Sequence, residues 1–227
     1  MARQTRELPY KKAIYVFWEG ESEEAYTKYL RQAFKNKSVI NIHGEKGTFH
    51  TAQSYYRGNK RFQNDIHELD EIWFFFDTEI EKGGQWDENW ECLKSIIETR
   101  KQDNPIRIRL LMTTCCIEYW FLLHYERTAP SIATPADKER VTKRLRDKVA
   151  SYKKGNYQSV TAIASQNQKE AISNGRWTLK RLEQDGMPMR SPDNTSESDK
   201  WLFKGTSTFT TVHEALEMLI NLPDINF

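Results

Sequence analysis

Three apolar runs, each about as long as a buried strand, constrain the fold of this chain more than any other feature. They are Ile14 to Trp18, Ile72 to Phe76 and Ile106 to Met112, and Val39 to Ile42 is a weaker fourth candidate. Continuous apolar runs of this length are typical of strands that are buried on both faces of a parallel sheet. The chain is therefore expected to build its core around such a sheet.

Amphipathic stretches separate these runs. Ser22 to Phe34 places its large apolar residues on one helical face, with Ser22 available as the N-cap, and Asp87 to Lys101 repeats the pattern. Cys115 to Tyr125 is apolar almost all round, as in a helix packed into a core. The alternation of strand and helix predicts an α/β fold, with a mostly parallel sheet, right-handed crossovers and flanking helices.

The second half of the chain is predicted to be mainly helical. One apolar stripe at helical spacing consists of Val141, Leu145, Val149 and Tyr152. Gly186 to Lys200 is rich in Pro, Ser, Asn and Asp, which predicts a loop. We expect an α/β core over residues 1–127 and a helical C-terminal extension over 128–227, packed on it as one compact unit, because 227 residues suit a single domain.

The composition favours a protein of a reducing compartment. No segment approaches the roughly 20 apolar residues that span a bilayer, and the N-terminal segment MARQTRELPYKK contains no apolar run. The three cysteines, Cys92, Cys115 and Cys116, lack the spacing of a disulfide framework or a zinc site. We expect a cytoplasmic protein without a membrane partner. A homo-oligomer is compatible with the sequence.

Charge is unevenly distributed although the net charge is only +2. Glu68 to Glu91 contains nine acidic residues and one basic residue, whereas Lys138 to Lys154 contains eight basic and two acidic residues. An acidic pocket beside a basic arm suits a metal-dependent enzyme that acts on a polyanion. Solvated helix faces of opposite sign that dock on each other would give the same pattern, so both interpretations stay open.

Carboxylates follow two of the predicted strands. Glu19 comes directly after the first strand, and Asp77 and Glu79 follow the strand Ile72 to Phe76. Ligands of open parallel sheets bind outside the carboxyl ends of the strands. Hard cations such as Mg²⁺ bind through one or two carboxylates together with phosphate oxygens of the substrate. The sequence therefore predicts a metal site at this edge, although Asp77 and Glu79 alone also resemble an ordinary turn or the acidic motif of sugar-nucleotide transferases.

Other acidic residues have simpler explanations. Glu21, Glu23 and Glu24 suit the first turn of a helix, where the macrodipole favours negative charge. Glu118 lies on the apolar helix Cys115 to Tyr125, where a carboxylate should be paired, neutral or bound to metal. A buried salt bridge with an arginine is the simplest alternative for Glu118.

Five segments resemble the motifs of RloB-like proteins, in the same order and with similar spacing: YVFWEGESEEAYTKYL, FFFDTEIE, TTCCIEYWFLLHYE, YKKGN and STFTTVHEAL. The resemblance covers nearly the whole chain, roughly Lys12 to Leu222. RloB-like proteins are associated with bacterial restriction and abortive phage-infection loci, and they resemble the Toprim fold of primases, topoisomerases and OLD-type nucleases. The resemblance therefore implies a Toprim-like sheet.

The resemblance also implies roles for single residues. Glu19 matches the glutamate that closes the first Toprim strand, Asp77 and Glu79 match the D-x-D signature, and Glu118 matches the glutamate of an S-N-P-x-F-E-x-W segment. The chain departs from the family pattern in three places, because Glu79 replaces the second aspartate, Thr114-Cys115 replaces Asn-Pro, and STFT stands where N-P-x-T is usual. A glutamate can still hold a metal ion, so the first of these changes preserves the chemistry.

The activity that the resemblance implies is phosphodiester hydrolysis. Glu19, Asp77 and Glu79 would bind one or two Mg²⁺ or Mn²⁺ ions, and Glu118 would be a fourth catalytic residue, as a further ligand or as a group that orients one. Such a nuclease would act as the toxic effector of an anti-phage defence system under the control of an ATPase partner. RNA, with tRNA as one example, is slightly favoured over DNA.

Two alternatives remain, a catalytically degenerate Toprim-like subunit that only binds or regulates, and a nucleotidyl or sugar-nucleotide transferase. The transferase ranks last because the chain has no glycine-rich phosphate loop. Four residues of the basic arm are candidates for contacts with a nucleic-acid backbone, or else simply keep a helix surface soluble: Arg144, Lys148, Lys153 and Lys154.

Overall fold

A computed structural model of the chain describes residues 12–37, 39–58, 69–78, 85–97, 106–190 and 196–225. Four strands lie within these ranges: β1 (Lys12–Trp18), β2 (Val39–Lys46), β3 (Glu71–Thr78) and β4 (Arg107–Thr114). They form one sheet in the order β2-β1-β3-β4, and every neighbouring pair is parallel. The predicted strands, including the weaker fourth candidate, are confirmed, and the architecture is consistent with a Toprim-like α/β fold.

Nine helices flank the sheet within the described ranges. Their bounds are α1 (Glu21–Ala33), α2 (Phe49–Gly58), α3 (Trp86–Ile97), α4 (Ile117–Leu122), α5 (Pro135–Lys148), α6 (Tyr157–Ala164), α7 (Gln168–Gln184), α8 (Ser196–Lys204) and α9 (Val212–Asn221). In the part of the chain that the structure describes, none of these helices has the length and apolar character required to cross a bilayer.

Both faces of the sheet are buried because alternate residues of β3 pack in opposite directions. Trp73 and Phe75 belong to one buried cluster, with residues of α1 and α4. Phe74 and Phe76 belong to the second cluster, with residues of α2 and α3. This explains why β3 is a continuous apolar run rather than an alternating one. Helices of the second half of the chain contribute to both clusters, and the division at residue 127 stays a prediction.

The outer edge of β4 is hydrogen-bonded to the segment 209–211. The Thr114 N–H donates to the Phe209 carbonyl over 3.1 Å, and the Thr211 N–H donates to the Met112 carbonyl over 2.9 Å. This short pairing covers the end of β4 that is nearest to the carboxyl edge of the sheet. It also joins the segment before α9 directly to the sheet.

Some helix bounds differ from those expected. Helix α1 begins at Glu21 with Gly20 as its N-cap, so the prediction that Ser22 caps this helix is wrong. The helix α4 is shorter than predicted at both ends: it begins at Ile117, after the left-handed backbone of Cys115 (φ of 68°), and it ends at Leu122. Helix α5 ends before Tyr152, which lies in the following loop.

The predicted loop Gly186 to Lys200 is only partly correct. Residues 187–190 have no regular structure, 191–195 lie outside the described ranges, and α8 begins at Ser196. Sequence reasoning missed α8 because most of its residues are polar, although Leu202 and Phe203 are buried on its apolar face.

Candidate functional site

The ends of β1 and β3 bring Glu19 and Asp77 together. Trp18 pairs with Phe75 in the parallel register, so the residues that follow each of them continue side by side. The Glu19 side chain reaches across to β3, where Oε2 accepts a hydrogen bond from the Asp77 N–H over 3.2 Å. The Glu19 carboxylate thus lies against the backbone of Asp77 at the carboxyl edge, and its charge acts on the Asp77 carboxylate. Glu79 lies outside the described residues.

Two further glutamates lie close to this pair. Glu23 on α1 is 5% exposed and Glu118 on α4 is 1% exposed. Burial raises the pKa of Glu23 to about 7, and the negative charges of Glu118 and Glu19 act in the same direction, whereas Lys154 opposes them. We refer to Glu19, Glu23, Asp77 and Glu118 as the acidic centre.

Asp77 is subject to the combined charge of this centre. Burial raises its pKa well above the ordinary value, and the charges of Glu23, Glu19 and Glu118 add to the effect. Lys138 on α5 opposes the increase, since its Nζ lies 3.7 Å from Asp77 Oδ2. The acidic centre thus concentrates more negative charge than the nearby lysines neutralise easily, which favours the binding of a cation or the uptake of protons.

Glu118 is held by hydroxyl groups rather than by an arginine. Its Oε1 accepts hydrogen bonds from Ser22 Oγ over 3.0 Å and from Tyr152 Oη over 2.7 Å. The Gly155 N–H donates to Ser22 Oγ over 3.0 Å. Within the described ranges Glu118 makes no ion pair, so the alternative of a buried salt bridge is wrong for this part of the chain. Three segments that are far apart in sequence therefore fix the orientation of this carboxylate.

A cavity of about 320 Å³ opens directly onto the acidic centre. Glu19 and Asp77 line it on one side, and His50, Glu88 and Asn89 line it on another. A second cavity, of about 410 Å³, lies beside Lys138 and the end of β3. Both volumes are within the range of ordinary ligand sites.

The donor set of the acidic centre fits a hard divalent cation. Mg²⁺ is held by one or two carboxylates and completes its coordination with water and phosphate oxygens. Glu19 and Asp77 supply these two carboxylates. Among the described residues no three His, Cys, Asp or Glu side chains are gathered as a ready-made metal cluster. A metal site here would therefore need Glu79, a substrate phosphate or a small movement of Glu23 or Glu118 to be complete.

The candidate residues of the basic arm have different surroundings. Arg144 and Lys148 both pair with Glu126, over 2.6 Å and 3.6 Å. Lys153 and Lys154 are exposed on the loop after α5. Of these four, Lys154 is the one whose charge acts on the acidic centre, through Glu23. Arg144 and Lys148 are accordingly less available for a nucleic-acid backbone than Lys153 and Lys154.

Sequence reasoning missed Glu23 and Lys138. Glu23 lies on the same helical face as Tyr26 and Leu30, a spacing of three and seven residues that indicates burial and could have identified it. Lys138 begins the basic segment, but only the docking of α5 against the end of β3 reveals its contact with Asp77. His124 is buried and its Nδ1 donates to the Gln166 carbonyl over 2.7 Å, so it is a hydrogen-bonded core histidine.

Comparison with known proteins gives a match to a protein family. Neither curated proteins nor solved structures contain a match to the chain. The family model described as RloB-like protein matches residues 14–219, a range that contains every residue of the acidic centre. Because this match covers nearly the whole chain, the protein belongs to the RloB-like family.

Proposed function

We propose that this protein is a metal-dependent nuclease that hydrolyses phosphodiester bonds at the acidic centre. The observation that carries the proposal is the contact between Glu19 and Asp77 at the carboxyl edge of a parallel sheet, the place where such folds bind ligands. Two more buried glutamates surround this contact, and burial raises the pKa of Asp77. Crowded carboxylates of this kind are typical of functional sites rather than of structural ion pairs.

The roles of the chain's own residues follow from their positions. Glu19 and Asp77 hold a divalent cation, Mg²⁺ or Mn²⁺, with Glu79 as the third ligand expected from the sequence. When bound, the ion would polarise the scissile phosphate and supply an activated water. Glu118 is kept in a fixed orientation by Ser22 and Tyr152, so that its negative charge remains directed at the centre.

We propose a polyanionic substrate and a protein partner. The exposed Lys153 and Lys154 next to the acidic centre suit a polyanionic substrate, because contacts with phosphates are electrostatic. We favour RNA, including tRNA, over DNA, by analogy with effectors that disable translation. Membership of the RloB-like family supports a role as a toxic effector in anti-phage defence, in the cytoplasm and under the control of an ATPase partner.

A second candidate function is a catalytically degenerate subunit that binds or regulates within a defence complex. It is favoured by the Lys138 contact with Asp77, which already neutralises one of the presumed ligands, and by the absence of a three-ligand cluster among the described residues. Such a subunit would need the fold and the basic loop but not the carboxylates.

The experiment that separates these functions is a cleavage assay with matched variants. Purified protein, alone and with an ATPase encoded beside its gene, is incubated with total RNA or plasmid DNA in Mg²⁺ or Mn²⁺. We expect cleavage that Glu19→Ala and Asp77→Ala abolish and that Glu24→Ala retains, because Glu24 lies in the first turn of α1 and pairs with Lys28 at the surface. No cleavage under any condition, with both site variants still protective in cells, would favour the binding subunit.

A further inference from the structure

The cavity of about 410 Å³ beside Lys138 differs in chemistry from the cavity at the acidic centre. Threonines line it from four segments: Thr78 at the end of β3, Thr114 at the end of β4, Thr134 before α5, and Thr206 after α8. Among the described residues, Lys138 is the one charged residue of its lining, whereas the first cavity contains Glu19, Asp77 and Glu88. We call this second cavity the threonine–lysine cavity.

The acidic neighbour of Lys138 on α5 does not make this cavity negative. Asp137 precedes Lys138 on α5, but its Oδ2 accepts hydrogen bonds from the N–H groups of Ala133 and Thr134, over 3.0 Å and 2.8 Å. Its other oxygen contacts Arg140. Asp137 therefore caps the helix and is compensated by an arginine. The hydroxyls of Thr114 and Thr134 already donate to the Ser207 carbonyl and to Asp137 Oδ2. The cavity keeps the Lys138 ammonium group and the hydroxyls of Thr78 and Thr206, a set of donors that suits a phosphate group.

Lys138 connects the two cavities. Its Nζ is 3.7 Å from Asp77 Oδ2, a separation greater than that of a hydrogen-bonded ion pair, and its side chain is 30% exposed. A lysine has a flexible stem of four carbons, so its ammonium group can contact Asp77 or an anion in the cavity without any movement of the backbone. The two cavities are thus neighbouring spaces at one edge of the sheet, one acidic and the other cationic.

We propose that the threonine–lysine cavity binds a backbone phosphate of the nucleic-acid strand, adjacent to the phosphate that lies at Glu19 and Asp77. This inference rests on the proposed function and makes it more specific. The substrate is then a single strand that crosses the carboxyl edge of the sheet, with one phosphate at each cavity. A mononucleotide or a small phosphoester would occupy only half of this site.

The test measures binding rather than cleavage. The full-length protein is titrated, in EDTA and separately in Ca²⁺, into fluorescently labelled single strands of about ten nucleotides, as RNA and as DNA, and anisotropy is recorded at several salt concentrations. The variants are Lys138→Met, Lys138→Arg and Thr206→Val. The matched control is Lys143→Met, which removes an exposed lysine from the same helix.

The expected results differ among these variants. Lys138→Met weakens binding about tenfold, as expected for the loss of one charged hydrogen bond. It also lowers the slope of log Kd against log salt by about 0.7, the value for one phosphate contact with a single strand. Lys138→Arg keeps the slope, Thr206→Val weakens binding about threefold without changing it, and Lys143→Met changes neither quantity. A purely structural role of Lys138 beside Asp77 would not alter the salt slope.

Other outcomes separate this inference from the nuclease proposal. Binding that depends on Lys138 without any cleavage would support the phosphate site and refute the nuclease. Cleavage with an unchanged KM in Lys138→Met, or equal salt slopes for Lys138→Met and Lys143→Met, would overturn the phosphate site alone. If Lys138→Met fails to fold, Thr206→Val decides, and its wild-type affinity would overturn the proposal. A preference for RNA or for DNA strands identifies the source of the phosphate.

Discussion

The substitution Glu71→Gln should destabilise the protein strongly although it changes one atom of a buried side chain. Glu71 is the first residue of β3 and is completely buried. Its carboxylate accepts hydrogen bonds from Arg109 Nε over 2.5 Å, from Trp73 Nε1 over 2.8 Å and from Lys12 Nζ over 2.9 Å. A glutamine cannot compensate the positive charges of Arg109 and Lys12. Its NH₂ group would also face the hydrogen-bond donors that the carboxylate now accepts from.

The magnitude follows from the pKa of this carboxyl. Burial alone would raise it, but the contacts with Arg109, Lys12 and Trp73 more than compensate and lower the pKa from 4.5 to about 2. Such a decrease corresponds to about 3 kcal/mol of stability for the ionised form. The same size is typical of removing one partner from a buried ion pair. Glu71→Gln should therefore lower the free energy of unfolding by about 3 kcal/mol at pH 7.

Urea denaturation followed by tryptophan fluorescence measures this free energy, and its pH dependence tests the cause. Because the pKa of Glu71 is lowered by folding, its contribution is complete above pH 4.5 and is lost as the pH falls toward 2. The difference between wild type and Glu71→Gln should shrink over that range. The control is Glu24→Gln, which removes a surface pair with Lys28 and should cost under about 0.5 kcal/mol. A loss below about 1 kcal/mol at pH 7, or a difference independent of pH, would refute this reasoning.

Three further predictions concern the site and the buried histidines. Asp77→Asn should raise the thermal stability in EDTA, because it removes a charge from the acidic centre. It should also abolish the increase in Tm that Mg²⁺ gives the wild type, as measured by scanning fluorimetry. Equal stabilisation of the wild type and the variant by Mg²⁺ would contradict this prediction. Tyr152→Phe removes the hydroxyl that holds Glu118, the buried glutamate of α4, and should lower the free energy of unfolding by about 2 kcal/mol in urea denaturation. The control Tyr157→Phe, at a half-exposed position, should change this free energy by almost nothing. Burial lowers the pKa of His124 and His213 to about 4, so wild-type stability should decrease as the pH falls from 6.5 to 4. His124→Gln should show a smaller decrease in the same titration. An identical pH profile for the variant would be evidence against this origin of the decrease.

The strands were predictable because a strand buried on both faces is a continuous apolar run, which is recognised without measuring the period of its hydrophobic residues. Ile72 to Phe76 contacts helices on both sides of the sheet, so no polar residue interrupts it. The helices were less predictable at their ends. Ser22 has the chemistry of an N-cap, yet its hydroxyl binds Glu118, a residue 96 positions away. Competition between a local and a distant partner for one hydroxyl cannot be decided from local sequence.

The candidate site was predictable to the extent that sheet geometry determines it. Residues that end neighbouring parallel strands must meet at one edge, which brought Glu19 and Asp77 together. The contribution of Glu23 depends on which face of α1 is buried, and that of Lys138 depends on how α5 docks. Both are tertiary facts that secondary-structure patterns do not specify. The capping box formed by Thr134 and Asp137 indicates where α5 begins but not what lies opposite its first turn.

The hydrogen bonds between β4 and the segment 209–211 have a practical consequence for how this protein can be handled. An uncovered strand edge invites another chain to add a strand, which leads to aggregation. Here the end of β4 is already occupied by residues that lie almost a hundred positions later in the chain. A fragment truncated before residue 209 would expose this edge together with the apolar surface beneath α9. We therefore expect such fragments to precipitate, and deletion mapping of the interaction regions to report insolubility rather than loss of a partner.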